Sequence, residues 1–486
     1  MSSDLQFASA TELAVRIRHG TLSPVELVEA CLDRIDVRND TINAFVYVDA
    51  DRARREAKAA EAAVERGETL GPLHGLPVAI KDLNDVAGMP TTSGSVPFAD
   101  NIAEENAPFV DRLIDAGAIM IGKTNTPEYG HKGTTDNQLF GATSTPFAPG
   151  YNAGGSSGGS AAAVSDGMVP LAQGTDGGGS VRIPASFCGG FGFKSTYRRI
   201  PRKYRPDGFS HTPFSHVGPQ TRTVEDAALM LSVMTGIHPS DPFVTADEGT
   251  DFLDAVHTPI DELDIAYSPD MGVFPIDNRV ADIVDSAVDA FTEAGADLAE
   301  IEFDPGRSRQ EIVESWLAGF RVGYAKLAKT VKDTEGVDYL GEARDDASPE
   351  FIEQVEAGQE YSAVEFKLED IVRTDVFDTI QSVLDTHDLL VTPTLAVPPV
   401  ENDSDGDTVG PTEVNGEPVD PVIGWCLTYP LNMTGHPAAT VPAGFTDGGL
   451  PIGMQLIGRR YDDETVLAAS AAFERVHPWH DAYPPS

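Results

Sequence analysis

Residues 154–196 read GGSSGGSAAAVSDGMVPLAQGTDGGGSVRIPASFCGGFGFKST. Two glycine–serine clusters are joined here by small residues and a short apolar run, Met168–Ala172, which predicts a strand. Glycine lets the backbone approach a ligand closely, and a serine hydroxyl becomes a nucleophile when a base lies beside it. Upstream, the apolar run Pro77–Ile80 predicts a strand that stops at Lys81. Two serines and a lysine therefore form a candidate hydrolytic site that needs no histidine.

Short apolar runs alternate with helical patterns on both sides of this segment. The other predicted strands lie at 119–121, 263–267, 389–393, 438–442 and 452–457. Capped or amphipathic segments predict helices at 49–66, 107–116, 223–234, 279–294 and 463–476. Strands separated by helices are typical of an α/β protein. We therefore predict an α/β/α sandwich, in which a central mixed β-sheet is covered by helices on both faces.

No segment of the sequence reads as a long linker, so 1–486 is expected to form a single domain. Within it, 1–70 is predicted to be an N-terminal helical segment, and 71–235 contains the glycine–serine clusters and their flanking strands. Residues 305–425 predict helices and loops and end in an acidic surface loop at 401–421. This last region is the least constrained part of the sequence.

The charge balance is strongly acidic, with 34 basic and 77 acidic residues and a net charge of −43. Such a charge destabilises a compact state by self-repulsion in dilute buffer. Salt relieves the repulsion, because the Debye length falls to about 3 Å near 1 M. We interpret the acidity as a surface adaptation to high salt, in preference to an acidic partner-binding surface. It also disfavours contacts with nucleic acid phosphates.

Cysteine and histidine usage predicts neither a disulfide framework nor a metal site, and we expect no cofactor. The scattered cysteines are Cys31, Cys188 and Cys426. The histidines considered as ligands, which share no recurring spacing, are His131, His211, His216 and His436. The N-terminus has no basic and apolar signal pattern, and no window approaches about 18 uninterrupted apolar residues. A cytoplasmic protein without a membrane span is therefore expected.

Three separated motifs, in order and spacing, resemble the amidase signature family. They are GLPVAIKD (75–82), GGSSGGSAAAV (154–164) and GTDGGGSVRIPASFCG (174–189). The resemblance extends to GKTNTPEYG (122–130), GPQTRTVEDAA (218–228), YPLNMTGHPAATVPAGF (429–445) and LPIGMQLIGR (450–459). Most of the chain is covered, which implies a single amidase domain with 71–235 as its catalytic core and 305–425 as its substrate region.

The resemblance implies a Ser–Ser–Lys triad. Motif by motif, it assigns Ser180 as the nucleophile, Ser156 as the bridging serine and Lys81 as the base. It also implies a cis peptide bond between Gly155 and Ser156. The expected reaction hydrolyses a carboxylic amide to a carboxylate and ammonia or an amine, through an acyl-enzyme on Ser180.

The residues themselves suit this chemistry. Lysine has a reference pKa of about 10.4, so it acts as a base at neutral pH only when burial lowers that value. A neutral Lys81 would take a proton from Ser156, which in turn would take one from Ser180. Consecutive backbone N–H groups are available for the oxyanion, at Gly177, Gly178, Gly179 and Ser180.

Nearby residues are interpreted less specifically. Gly177 departs from the family, which usually has Thr or Ile there, and predicts a more mobile oxyanion loop. Arg182 is family-typical and is expected to position the nucleophile loop, whereas Cys188 is expected to be a buried packing residue. Tyr129 and His131 either line the acyl pocket or serve ordinary packing.

Three functions compete. A stand-alone amidase acting on a small-molecule amide, with a homodimer as the default assembly, is favoured by the loop TPEYGHKGTTDN (126–137). The alternative is the glutaminase (A) subunit of a tRNA-dependent amidotransferase, which shares the same core. A third function, a binding or scaffold protein without catalysis, is disfavoured by the intact Ser180, Ser156 and Lys81. The acyl group and the amine of the substrate are not legible in the sequence.

Overall fold

The computed structural model describes residues 5–209, 214–246, 249–404 and 406–484. The strands in these ranges are β1 (Phe45–Val48), β2 (Pro77–Lys81), β3 (Ile119–Thr124), β4 (Leu171–Asp176), β5 (Phe191–Lys194), β6 (His216–Thr221), β7 (Asp264–Tyr267), β8 (Asp297–Glu300), β9 (Leu389–Pro393), β10 (Glu413–Val414), β11 (Glu417–Pro418), β12 (Ala438–Phe445) and β13 (Pro451–Gly458).

The α-helices in the same ranges are α1 (Ala10–Arg18), α2 (Pro24–Ile42), α3 (Ala50–Glu65), α4 (Pro108–Asp115), α5 (Gly158–Ser165), α6 (Arg182–Phe187), α7 (Val224–Met234), α8 (Phe252–Ala255), α9 (Asn278–Ala287), α10 (Ala290–Glu293), α11 (Arg309–Glu335), α12 (Pro349–Gln359), α13 (Ala363–Leu384), α14 (Tyr429–Thr434) and α15 (Asp463–Val476). Within the described ranges, no helix combines the length and the apolar composition that a membrane span requires.

Eleven of the strands form one mixed sheet, in the order β1-β3-β2-β4-β6-β5-β12-β13-β9-β7-β8. Parallel pairing joins β2 to β3 and β4, and joins β7 to β8 and β9. The other pairs in the sheet are antiparallel. The short strands β10 and β11 form a separate hairpin in the predicted acidic loop.

Apolar side chains on both faces of the sheet pack under helices. Along β9, Leu389 and Val391 belong to one hydrophobic core, whereas Leu390 belongs to a second. Successive strand residues point to opposite faces, so the two cores lie on opposite sides of the sheet. The first core includes residues of α2, α7 and α15, and the second includes residues of α11, α13 and α14. The predicted α/β/α sandwich with a mixed sheet is confirmed.

One glycine–serine cluster lies at the end of a central strand and the other at the start of a helix. Lys81 is the last residue of β2, and the cluster at 177–180 follows directly after its parallel neighbour β4. The cluster at 154–160 leads into α5, which packs against β2 and β4. The parallel pairing of β2 with β4 therefore brings Lys81 and the second cluster to the same end of the sheet, and the packing of α5 on these strands positions the first cluster.

Candidate active site

Lys81 ends β2 with its side chain fully buried. Its Nζ lies 2.6 Å from the Ser156 Oγ and 2.9 Å from the Thr175 Oγ1. Burial lowers the Lys81 pKa well below its usual value; the charge of Asp176 opposes this shift and that of Arg202 adds to it. The site thus contains an amine with a depressed pKa in contact with a serine hydroxyl.

Ser156 lies in the first glycine–serine cluster, after a cis peptide bond from Gly155. A Cβ on Gly155 would lie 2.4 Å from the carbonyl oxygen of Thr134, so only glycine fits at this position. The Ser157 N–H donates to the Ser180 carbonyl oxygen at 3.2 Å, which joins the two clusters. Ser156 and Ser180 therefore line the same cavity.

The second cluster is organised by Asp176, the last residue of β4. Its carboxylate accepts hydrogen bonds from the Gly179 N–H (2.8 Å), the Val181 N–H (3.2 Å) and Asn432 Nδ2 (2.8 Å). Burial alone would raise the Asp176 pKa, but the buried ion pair with Arg182, at 3.0 Å, outweighs it and holds this pKa well below its usual range. Asp176 and Arg182 together position the loop that carries Ser180.

The carbonyl groups of residues 176–179 all accept hydrogen bonds from named donors. The Asp176 carbonyl accepts from Asn432 Nδ2 at 2.9 Å, and the Gly177 carbonyl accepts from Trp316 Nε1 at 3.1 Å. The Gly178 carbonyl accepts from Thr428 Oγ1 at 2.6 Å, and the Gly179 carbonyl accepts from the Ile183 N–H at 2.6 Å. In a trans peptide the following N–H points opposite to the carbonyl. Each N–H from 177 to 180 is therefore aimed away from these donors.

Three of those four N–H groups are available to a ligand. The Gly179 N–H is engaged by the Asp176 carboxylate. The N–H groups of Gly177, Gly178 and Ser180 have no acceptor in the part of the chain that the structure describes. The four oxyanion donors expected from the sequence are thereby reduced to three candidates.

Gly177, the first residue of the glycine run, is packed against an aromatic ring. A Cβ at this position would lie 2.8 Å from Phe320 Cζ. Phe320 belongs to α11 and stacks on Trp316, with 4.3 Å between the ring centroids. The space of the missing side chain is thus filled from α11, which also holds the Gly177 carbonyl through Trp316.

A cavity of about 390 Å³ contains both candidate serines. One wall is apolar and comes from α11; it consists of Trp316, Phe320, Tyr324 and Leu327. Polar side chains of the lining include Tyr129, Arg202 and Ser215. The cavity is large enough for a small amide with an aromatic or aliphatic group.

A family model described as Amidase matches residues 26–467. This chain belongs to the amidase family. It is 40% identical over 485 residues to an acylamidase of Rhodococcus erythropolis, covering 99% of this chain and 98% of that one. It is 33% identical over 503 residues to the glutamyl-tRNA(Gln) amidotransferase A subunit of Chloroflexus aurantiacus, covering 99% of each.

A solved structure agrees with the sequence relatives. The crystal structure of a bacterial aryl acylamidase of the amidase signature family superposes with a TM-score of 0.95 at 39% identity, covering 99% of this chain and 98% of that one. The chain is therefore an amidase, an enzyme that hydrolyses carboxylic amides.

Tyr129, His131 and Cys188, whose predicted roles in the amidase are less specific, differ in their surroundings. Tyr129 and His131 both line the cavity. The Tyr129 hydroxyl lies 2.7 Å from that of Tyr339, and His131 Nδ1 lies 2.7 Å from a backbone carbonyl oxygen. Cys188 is fully buried, and burial raises the pKa of its thiol.

The remaining histidines show no metal-binding arrangement in the described ranges. Burial lowers the pKa of His216 well below its usual value and that of His436 to about 3. His211 lies outside the described residues. Among the described residues, no group of three or more His, Cys, Asp or Glu side chains is placed to hold a metal ion.

Several residues of the site were not singled out from the sequence. Thr175 and Asp176 lie in the motif GTDGGGS, and Asn432 lies in YPLNMTGH, so the family motifs contained a signal for them. Trp316 and Phe320 lie in the least constrained region, far from the glycine run in sequence. Their role depends on how α11 packs on the sheet.

Proposed function

We propose that the amidase acts through an acyl-enzyme on Ser180, with Ser156 as the proton relay and Lys81 as the base. The observation that carries the proposal is the 2.6 Å contact between Lys81 Nζ and Ser156 Oγ, in the cavity that also contains Ser180. Ser180 Oγ makes no hydrogen bond to a described residue, which leaves it free to meet a substrate carbonyl.

The reaction has an acylation stage and a deacylation stage. Ser180 Oγ bonds to the carbonyl carbon, its proton passes to Ser156 Oγ, and the Ser156 proton passes to Lys81 Nζ. The relay then runs backwards and protonates the leaving nitrogen as the C–N bond breaks. A water molecule then attacks the acyl carbon and passes a proton through Ser156 to Lys81, and the relay returns a proton to Ser180 Oγ as its bond to the acyl carbon breaks and the carboxylate leaves.

The oxyanion of the tetrahedral intermediate would be bound by the N–H groups of Gly177, Gly178 and Ser180. Their direction is set by the donors that hold the preceding carbonyls, so they are oriented before the substrate arrives. Donors organised in advance stabilise the developing charge without reorganising during the reaction.

The proposed substrate is a small-molecule acyl amide. Two relatives at about two-fifths identity are an acylamidase and an aryl acylamidase. The apolar wall from α11 offers aromatic rings for stacking with an aryl or aliphatic substituent.

Covalent labelling tests the nucleophile. A fluorophosphonate probe in molar salt is expected to label the wild-type protein and the Ser165→Ala control but not Ser180→Ala. Ser165 is a suitable control because its buried hydroxyl has no hydrogen-bond partner in the described structure. Equal labelling of Ser180→Ala would assign the nucleophile elsewhere.

We propose further that the amidase works alone. The identity to the acylamidase, 40%, exceeds the 33% to the A subunit of the amidotransferase. The purified single chain should release amine from anilides at a rate that added partner proteins do not increase. Copurification with two partner proteins, and ammonia transfer to glutamyl-tRNA, would instead support the amidotransferase function.

A further inference from the structure

The most concentrated basic segment of this acidic chain borders the catalytic cavity. Residues 198–205 read RRIPRKYR and contain five of the 34 basic residues. Four of the five side chains are engaged away from the cavity: Arg198 with Asp241, Arg199 with Asp463, Lys203 with Glu105, and Arg205 with the backbone carbonyls of Tyr204 and Ser240.

Arg202 is the basic residue of this segment that lines the catalytic cavity. Its guanidinium donates to the Ser215 Oγ and lies over the Tyr204 ring, with Cζ 4.5 Å from the ring centroid. A guanidinium has five N–H donors in a planar fork. Within the described ranges no carboxylate lies within ion-pair distance of it, so most of this donor capacity is free for a ligand.

The cavity around Arg202 contains no opposing charge. Although the chain has 77 acidic residues, no Asp or Glu is among the described residues that line the cavity. The other cation that stays charged, Lys132, is neutralised by Asp136 at 2.8 Å and Asp407 at 3.3 Å. Asp241 accepts from the Arg202 backbone N–H at 2.9 Å but forms its ion pair with Arg198, so it offsets the Arg202 charge only in part. The Arg202 guanidinium is therefore a cation without a carboxylate partner at the wall of a partly enclosed site, where an anion would meet little competition from the protein.

We propose that Arg202, assisted by the Ser215 hydroxyl and the Tyr204 ring, binds a carboxylate carried by the amide substrate. Arginine and carboxylate form paired, charge-assisted hydrogen bonds whose geometry a lysine does not reproduce. The carboxylate belongs either to the acyl part or to the amine part of the substrate. This inference rests on the proposed function, since it concerns the substrate of the same cavity.

Two pairs of anilides test the inference and locate the carboxylate. On the amine side, 4-acetamidobenzoate is compared with 4-nitroacetanilide, in which a nitro group of similar shape replaces the carboxylate. On the acyl side, N-(4-nitrophenyl)succinamic acid is compared with 4-nitrobutyranilide. All rates are measured in one molar-salt buffer and at the plateau of the pH profile.

Arg202→Gln is expected to lower kcat/KM for the carboxylate-bearing member of one pair by about 10–100-fold, mainly through KM. Its neutral counterpart should change by less than about threefold, because the neutral group makes no charge-assisted bond. Arg202→Lys should recover only part of the loss. The matched control is Lys203→Gln, which removes one exposed positive charge at the next position and should leave all four rates unchanged.

The other outcomes overturn either the inference that Arg202 binds a carboxylate or the proposed substrate class. An equal loss on the charged and neutral members would show that Arg202 supports the fold or the catalytic groups without recognising a carboxylate. Wild-type turnover of the neutral anilides, with both acids hydrolysed more than tenfold more slowly, would also refute the inference while the amidase function stands. If no anilide is hydrolysed, the substrate assignment fails. Calorimetry then decides the inference, with both acids titrated into Ser180→Ala and into the double variant Ser180→Ala/Arg202→Gln. Binding to Ser180→Ala that the double variant loses would support the inference, and absence of binding to Ser180→Ala would refute it.

Discussion

The burial of Lys81 suits a base but lowers the stability of the folded protein. Its Nζ is held by the hydroxyls of Ser156 and Thr175, and the described structure places no carboxylate within ion-pair distance. Burial therefore favours the neutral amine and lowers its pKa. Each unit by which folding lowers a lysine pKa costs about 1.4 kcal/mol of folding free energy at pH values below the lowered pKa.

Lys81→Met is accordingly expected to lose amide hydrolysis by at least about 100-fold while gaining stability. At neutral pH the free energy of unfolding of the variant should exceed that of the wild type by on the order of 1–3 kcal/mol. The loss of the Lys81 hydrogen bonds reduces this gain. The unfolded state binds more protons than the folded one, so the wild-type stability rises with pH towards 10.5 and the advantage of the variant shrinks. Denaturation curves at several pH values measure this; an advantage independent of pH would contradict it.

The hydrogen bond from Trp316 to Gly177 is a second residue-level test. Trp316→Phe keeps the aromatic wall but removes the Nε1 donor that fixes the Gly177 carbonyl, and with it the direction of the Gly178 N–H. We expect kcat to fall by about tenfold with little change in KM, because the oxyanion is bound only in the transition state. Trp425→Phe removes an indole hydrogen bond of the same length, 3.1 Å, to a loop carbonyl and should leave kcat unchanged. A rise in KM alone would make Trp316 a substrate contact only.

Much of the candidate site was predictable from the sequence, because Lys81, Ser156 and Ser180 lie inside contiguous motifs. The structure brings Lys81 and Ser156 into contact and places Ser180 in the same cavity. Their catalytic roles stay predictions. The engagement of the Gly179 N–H and the Trp316 contact were not predictable, because both depend on backbone direction and on a helix 139 residues away in sequence.

Among the elements, those with clear apolar patterns and caps were predicted best. The strand at 389–393 and the helix at 463–476 occur at the predicted positions. The predicted helix at 279–294 is interrupted near Val288, between α9 and α10. Strand β6, HVGPQT, contains glycine and proline, and strand β8, DLAE, is an exposed edge, so neither carries an apolar pattern.

The loop after β3 is tied to α12 by one buried carboxylate. Glu128 Oε1 accepts from Ser95 Oγ at 2.6 Å, and Oε2 accepts from the N–H of Ser348, the residue before α12, at 2.7 Å. Glu128→Gln places an amide NH2 against one of these donors. We expect a loss of about 1–3 kcal/mol in unfolding free energy. Glu353→Gln, on the exposed side of α12, is the control, and equal stability of the two variants would contradict the tie.

At the scale of the whole molecule, one core connects distant parts of the chain. Buried residues from Leu5 to Tyr483 belong to the same hydrophobic cluster on one face of the sheet. The N-terminal segment joins the centre through Arg34, whose Nε lies 2.9 Å from a carboxylate oxygen of Asp166, just after α5. The single domain and the homodimer expected from the sequence stay predictions.

The net charge of −43 makes the stability of the whole molecule dependent on salt. Repulsion among surface carboxylates acts over the Debye length, which falls from about 10 Å at 0.1 M to about 3 Å at 1 M. Raising KCl from about 0.1 M to about 3 M is therefore expected to increase Tm by about 10 °C or more. Sorbitol at matched water activity is the control, because it carries no ions and should give a much smaller gain.

The shape of the salt response distinguishes two causes of this stabilisation. Screening is nearly complete once the Debye length is shorter than the spacing between surface charges, so most of the gain in Tm should come below about 1 M. A gain that continues in proportion to salt up to about 3 M would instead indicate uptake of cations by the folded surface. An unchanged or lower Tm at the highest KCl concentration would contradict the adaptation to salt and would favour the alternative in which the acidic surface contacts a partner.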